Sequence, residues 1–209
     1  GRLIMAESGS GMNVKLIITS VMGPCRVFNK YCCLFVNLSM AGKLTDIETG
    51  KLLQKFGAGN HKPGSGSASA FLGMLSAQML RTVIELTNDP KRRKNYSEYI
   101  PELLKIKEEI EIRIYPNLEI YFQKDSEQFD KVIKLRLQRD QETDSQKRRK
   151  LSADVQEVLK PATEIPLDIA ELCLELAGFA THVFDKGFKS ARGDSGVALN
   201  SAISGVASC

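Results

Sequence analysis

The stretch LEIYFQKDSEQFDKV, residues 118–132, decides how this chain is read. Leu118, Phe122, Asp125, Phe129 and Val132 recur at steps of four, three, four and three, which sets all five on one stripe of an α-helix. Four of the five are apolar and the fifth is a carboxylate. An acid on a core-facing stripe loses hydration. That disfavours its charged form and moves its pKa toward the range useful for proton transfer. The competing reading is a boundary aspartate paired with a nearby Lys or Arg.

Outward from this helix the same period continues in both directions. Helices are predicted at about 96–114, 118–139, 142–160, 165–184 and 194–207, with an apolar run rich in small residues over 68–87. Asn88-Asp89-Pro90, Pro116-Asn117, Pro161 with Pro166, and residues 187–193 supply the breaks. Pro101 belongs in a first helical turn, which moves the start of that helix to about Glu98. Thr45-Asp46-Ile47-Glu48 reads as a capping box, with Gly57 and Gly59 stopping the helix that follows. Beyond residue 40 no alternating strand pattern survives. The predicted fold is all-α, an antiparallel bundle of about six to seven helices.

Residues 1–39 read differently. Ala6-Glu7-Ser8-Gly9-Ser10-Gly11 has the composition of a linker or tag remnant. Two β-leaning runs, 16–21 and 31–38, flank Gly23-Pro24 and suggest a hairpin or a non-native extension. The expected domains are therefore an extension over 1–39 and a helical domain over 40–209.

The 209 residues are 43% hydrophobic and 26% charged, which excludes wholesale disorder. No apolar run approaches the roughly 18 residues of a membrane-spanning helix, so no membrane partner is expected. The net charge is +4, but Arg2, Lys15, Arg26 and Lys30 against Glu7 place all except +1 of it in the extension. Five cysteines without repeated spacing and two histidines exclude a disulfide framework and argue against a metal site. Cys173 falls on an apolar helical stripe and reads as a small core side chain. This usage fits a reducing, cytoplasmic compartment. The apolar stretch 14–21 lacks the flanks of a signal peptide.

Three further features could carry chemistry. The loop Pro63-Gly64-Ser65-Gly66-Ser67 opens straight into a helix, where glycines admit close approach of a ligand and free amides favour a carboxylate or phosphate. It is neither a P-loop nor a dinucleotide fingerprint, lacking the Gly-Lys-Ser/Thr ending and the strand–helix–strand context. Its plainer reading is a flexible connection. Small residues at Gly66, Ala70, Gly73 and Ala77, and again at Ala198, Ala202 and Gly205, let helices pack closely, within the chain or between subunits. Two identical basic runs, Lys91-Arg92-Arg93-Lys94 and Lys147-Arg148-Arg149-Lys150, read as solvated helix faces diluted by nearby acids. Without an aromatic platform or a helix-turn-helix they do not point to nucleic acid.

Taken in order, several segments resemble a known family. They are Leu44-Thr45-Asp46, Pro63 to Ala68, the small-residue helix ending at Leu86-Thr87, and Asp125-Ser126-Glu127-Gln128-Phe129. Pro161-Ala162-Thr163-Glu164-Ile165-Pro166-Leu167 and Ser190-Ala191-Arg192-Gly193-Asp194-Ser195-Gly196 complete the set. Residues 40–209 resemble the cyclodeaminase domain of formiminotransferase-cyclodeaminase and the small methenyltetrahydrofolate cyclohydrolases. The resemblance implies an all-helical homodimer that acts on a tetrahydrofolate derivative as substrate, with no metal or other cofactor. It implies closure of 5-formiminotetrahydrofolate with loss of ammonia, or hydrolysis of 5,10-methenyltetrahydrofolate to the 10-formyl form. Carried onto this sequence, it gives Asp125 as the acid–base residue and Pro63, Gly64, Ser65, Gly66 and Ser67 as the substrate loop. Ser190, Arg192 and Asp194 lie nearby in the same pattern, with Arg192 suited to the folate carboxylates. Ser65 stands where the family has a middle glycine, and Phe188 where it often has asparagine. The pattern also continues in relatives past the position of Cys209, so a C-terminally truncated domain is expected. A scaffold kept as a non-catalytic oligomerisation or binding module is the alternative.

Overall fold

Helices can approach closely only where their facing side chains are small, and that condition selects the centre of this molecule. In the computed structural model, residues 43–209 are described. The linker and hairpin expected within 1–39 lie outside the described residues. The central helix is α2, Ser65–Asn88, the small-residue run. Around it lie α1 (Thr49–Phe56), α3 (Ile100–Glu109), α4 (Tyr115–Gln141), α5 (Ser145–Lys186) and α6 (Arg192–Ala207). α2 packs against α3, α4, α5 and α6. The all-α reading holds, with six α-helices among the described residues.

The reason for the small residues is steric. A Cβ on Gly73 would lie 2.8 Å from the Cys173 sulfur and 3.0 Å from Leu118, and one on Gly205 would lie 2.7 Å from the same sulfur. Cys173 thus plugs the junction of α2, α5 and α6. It is fully buried, as expected of a core side chain, and burial pushes its thiol up to about 12. Ala70, Ala77, Ala198 and Ala202 are buried along the same contacts.

Proline punctuation was the poorest guide. The predicted break at Pro116-Asn117 is absent: α3 runs through a π-helical turn, Ile110–Ile114, directly into α4. The wider turn has Tyr115 N–H donating to Ile110 O, and Asn117 Nδ2 donates to Arg113 O at 2.9 Å. Together they keep the backbone bonded on either side of Ile112, whose carbonyl loses its helical donor at Pro116. Likewise Pro161 and Pro166 lie inside one 42-residue helix, α5, instead of separating two. Gln128 Nε2 of α4 donates to Val158 O at 3.0 Å, and Thr163 Oγ1 to Lys160 O at 2.8 Å. The prolines leave the carbonyls of Glu157 and Ala162 without their helical donors, while Gln128 ties the chain beside them to α4. Pro101 does occupy a first turn, that of α3.

The capping box is also corrected. Leu44–Asp46 forms a 3₁₀ turn, and α1 begins only at Thr49 with Glu48 as its N-cap and no side-chain cap bond. Glu48 instead pairs with Lys51 at 2.9 Å. Leu44 is buried, and its N–H donates to Gln123 Oε1 of α4, which draws these residues onto the bundle.

Candidate active site

The first turn of an α-helix offers amide donors that no intrahelical carbonyl can accept. In α2 these belong to Ser65, Gly66 and Ser67, and the N-cap, Gly64, has no side chain to satisfy them. Asp125 of α4 does so from outside. Its Oδ2 accepts from Ser67 N–H at 2.7 Å and from the Ser67 hydroxyl at 3.0 Å, while the same hydroxyl also lies 3.1 Å from Phe122 O. A carboxylate from one helix thereby caps the start of another.

Gly66 makes this approach possible. A Cβ there would lie 2.6 Å from Asp125 Cγ, a separation that side chains do not tolerate. Leu118, Phe122 and Val132 of the decisive stripe are buried to 1% or less, whereas Phe129 is 38% exposed. The stripe therefore enters the core at both ends and opens to a cavity in between.

That cavity measures about 200 Å³. Gly64, Ser65, Gly66 and His61 of the loop form one wall, with Asp125 and Phe129 of α4, Ala162 and Pro166 of α5, and Ser208 and Cys209 after α6 as the others. Desolvation raises the Asp125 carboxyl above its ordinary range, against the two lowering hydrogen bonds from Ser67. Pro166 has no N–H to give the carbonyl of Ala162, so this wall carries a backbone acceptor freed from the helix ladder. Pro63 is buried beneath the loop.

Beside Asp125 stands a second carboxylate that the sequence pattern did not single out. Asp130 accepts from Lys134 at 2.8 Å, His61 Nε2 lies 3.2 Å from its Oδ1, and Lys62 Nζ lies 3.4 Å from its Oδ2. Lys134, ahead of the opposing cost of burial, holds its carboxyl at about 2. The two aspartates are five residues apart on α4 and are driven in opposite directions. The His61 ring also meets Phe129 edge-on at 6.1 Å. A single histidine two residues ahead of a Gly-Ser loop was the available signal, and only the tertiary contact gives it meaning.

A loop and a helix-borne carboxylate joined at a small-residue helix is the arrangement that the ordered motifs implied. A family model described as formiminotransferase-cyclodeaminase matches residues 48–209. The chain belongs to the formiminotransferase-cyclodeaminase family. One relative, a methenyltetrahydrofolate cyclohydrolase of Methylorubrum extorquens, is 33% identical over 169 residues, covering 81% of this chain and 77% of the relative. A solved structure, formiminotetrahydrofolate cyclodeaminase from Thermotoga maritima, superposes with a TM-score of 0.65 at 20% identity, covering 78% of this chain and 74% of that one. At that identity the likeness shows the fold.

In this formiminotransferase-cyclodeaminase family member the other expected site residues sit elsewhere. Phe188 N–H donates to Thr87 Oγ1 at 2.8 Å, so the loop leading to Ser190, Arg192 and Asp194 lies at the C-terminal end of α2. Ser67 and Thr87 are separated by about 30 Å of helix at 1.5 Å per residue. Arg192 is exposed, lies over the Phe184 ring at 4.9 Å and donates to Phe184 O at 3.4 Å. Ser190 is exposed and Asp194 half-buried. Within one chain, therefore, Pro63 to Ser67 and Asp125 come together, and Ser190, Arg192 and Asp194 do not join them. No helix among the described residues is long and apolar enough to cross a membrane.

Proposed function

We propose that this protein hydrolyses 5,10-methenyltetrahydrofolate to the 10-formyl form, with Asp125 as its acid–base group. The observation that carries the reading is a desolvated carboxylate, anchored by both donors of Ser67 at a helix start, facing a cavity between four helices. The 33% identical relative named as a cyclohydrolase favours this reaction over cyclodeamination. Cyclohydrolysis needs a proton for the departing ring nitrogen. A carboxyl whose pKa is raised by burial holds that proton nearer neutrality than an exposed aspartate does. The amides of Ser65 and Gly66 can accept negative charge at the same helix start, and the freed Ala162 carbonyl can receive an N–H.

We further propose that the working unit is a homodimer with composite sites. The cavity is smaller than the roughly 300–1,000 Å³ of typical ligand pockets, so it takes the reacting end of a folate and leaves the remainder to be covered. The outward strip of α2, Ala68, Leu72, Leu75, Met79, Thr82 and Leu86, carries no charge, and neither does any residue from Ser195 to Cys209. An uncharged face two helices wide suits a second copy of itself. Pairing the α2 helices antiparallel would bring Ser190, Arg192 and Asp194 of one subunit toward Asp125 of the other. Arg192 could then hold a folate carboxylate.

Loss of the near-ultraviolet absorbance of methenyltetrahydrofolate, faster than in buffer, tests the reaction. Ammonia release from 5-formiminotetrahydrofolate would assign the cyclodeaminase reaction instead. Acceleration of neither overturns the folate reading. Sedimentation tests the dimer, and a Leu75→Glu chain that stays dimeric overturns the proposed interface.

A further inference from the structure

We propose that His61, oriented by Asp130, is the second proton-carrying group of the Asp125 cavity: the base that takes the proton of the attacking water. This rests on the cyclohydrolase reading above and extends it to the other half of the reaction. One imidazole and one desolvated carboxyl line the same cavity of about 200 Å³. His61 Nε2 lies 3.2 Å from Asp130 Oδ1, so one ring nitrogen is engaged outside the reacting space and the other remains to serve it. Asp130 keeps its negative charge across the whole physiological range because Lys134 and Lys62 surround it. It can therefore fix the tautomer of His61 and stabilise the imidazolium as it forms.

The groups facing His61 are few. Its own loop contributes Lys62, and α4 contributes Asp125, Asp130, Lys134 and the Phe129 ring. The opposite wall offers Ala162 and Pro166 from α5 and Ser208 and Cys209 after α6, of which Cys209 alone titrates.

The protons balance as follows. Water adds to the methenyl carbon, a C–O bond forms, and one water proton passes to His61 while the amidinium π pair returns to nitrogen. The resulting carbinol then loses its O–H proton as C=O forms and the bond from carbon to the pterin nitrogen breaks. That nitrogen keeps the electron pair and takes the proton of Asp125, and the carbinol proton restores the acid. His61 releases its proton to solvent, which is the net proton of the hydrolysis.

His61→Gln keeps a group able to bond Asp130 while removing the base. It is expected to lower kcat by about 10²-fold with KM changed little. Asp130→Asn, which removes the charge that orients the ring, should lower kcat by a smaller factor with KM likewise little changed. Wild-type kcat in His61→Gln overturns this inference and leaves the cyclohydrolase reading standing. A readout independent of turnover uses the fact that the chain has only two histidines, His61 and His182. In nitrogen-15 NMR spectra, Asp130→Asn should redistribute the ring tautomers of His61 and leave those of His182 unmoved. Unmoved His61 ring-nitrogen shifts overturn the orienting role of Asp130, whether or not either folate is turned over.

Discussion

The two ends of α2 are built alike and used differently. At each, a polar side chain on one element bonds a backbone amide of another: Asp125 accepts from Ser67 N–H, and Thr87 accepts from Phe188 N–H. At the C-terminal end the space is filled. Phe188 lies under the Arg92 guanidinium at 4.6 Å and meets Tyr96 edge-on at 6.4 Å. At the N-terminal end the acceptor is a carboxylate and the space beyond it is open. A buried polar contact in filled surroundings contributes stability. The same contact beside an unfilled cavity leaves an acid whose protonation can change.

The sharpest way to break this comparison is to neutralise the open end. Asp125→Asn should reduce turnover by about 10²–10⁴-fold, with helical circular dichroism unchanged; activity near wild type would remove Asp125 from the chemistry. Gly66→Ala comes next. Its methyl would collide with the Asp125 carboxyl, so both turnover and stability should fall, the latter by about 1–3 kcal/mol in denaturant titrations. Gly193→Ala near the closed end meets nothing within 4 Å and should lack that steric cost. At the closed end, Thr87→Val leaves Phe188 N–H without its acceptor and should cost about 1–3 kcal/mol while kcat stays unchanged.

The smallest effect is the pH dependence of stability. Asp130 is held at about 2, below the roughly 3.9 of an unfolded chain. The native state therefore binds this proton less tightly. Its contribution is complete above about pH 4 and lost as pH falls toward 2. Asp125 runs the other way: its raised pKa favours the protonated native state, and that contribution fades as pH rises through the folded value. Asp130→Asn should flatten the acid limb of a melting-temperature profile by no more than about 1–2 kcal/mol, and Asp125→Asn should remove the opposing slope.

The helical period and the small-residue stripes were legible because they are local consequences of side-chain size and spacing. Leu118, Phe122 and Val132 are buried as their positions required. The prolines misled for an equally physical reason. Proline removes one donor, but whether the helix breaks depends on what holds the chain around it, as Gln128 does beside Pro161 and the widened turn does ahead of Pro116. Pro166, read as a break, is instead part of the cavity wall. His61 and Asp130 could not be paired from the sequence, since 69 residues separate them.

By itself the sequence determined an all-helical chain, the oddity of one carboxylate on an apolar stripe, and the loop that opens α2. Periodicity and side-chain volume suffice for these. Only the tertiary structure decided what that carboxylate touches, because Gly66 permits the approach of Asp125 while the cap it completes comes from another helix. It also decided that Ser190, Arg192 and Asp194 lie at the far end of α2. Helix length, with its fixed rise per residue, keeps the two ends apart in one chain.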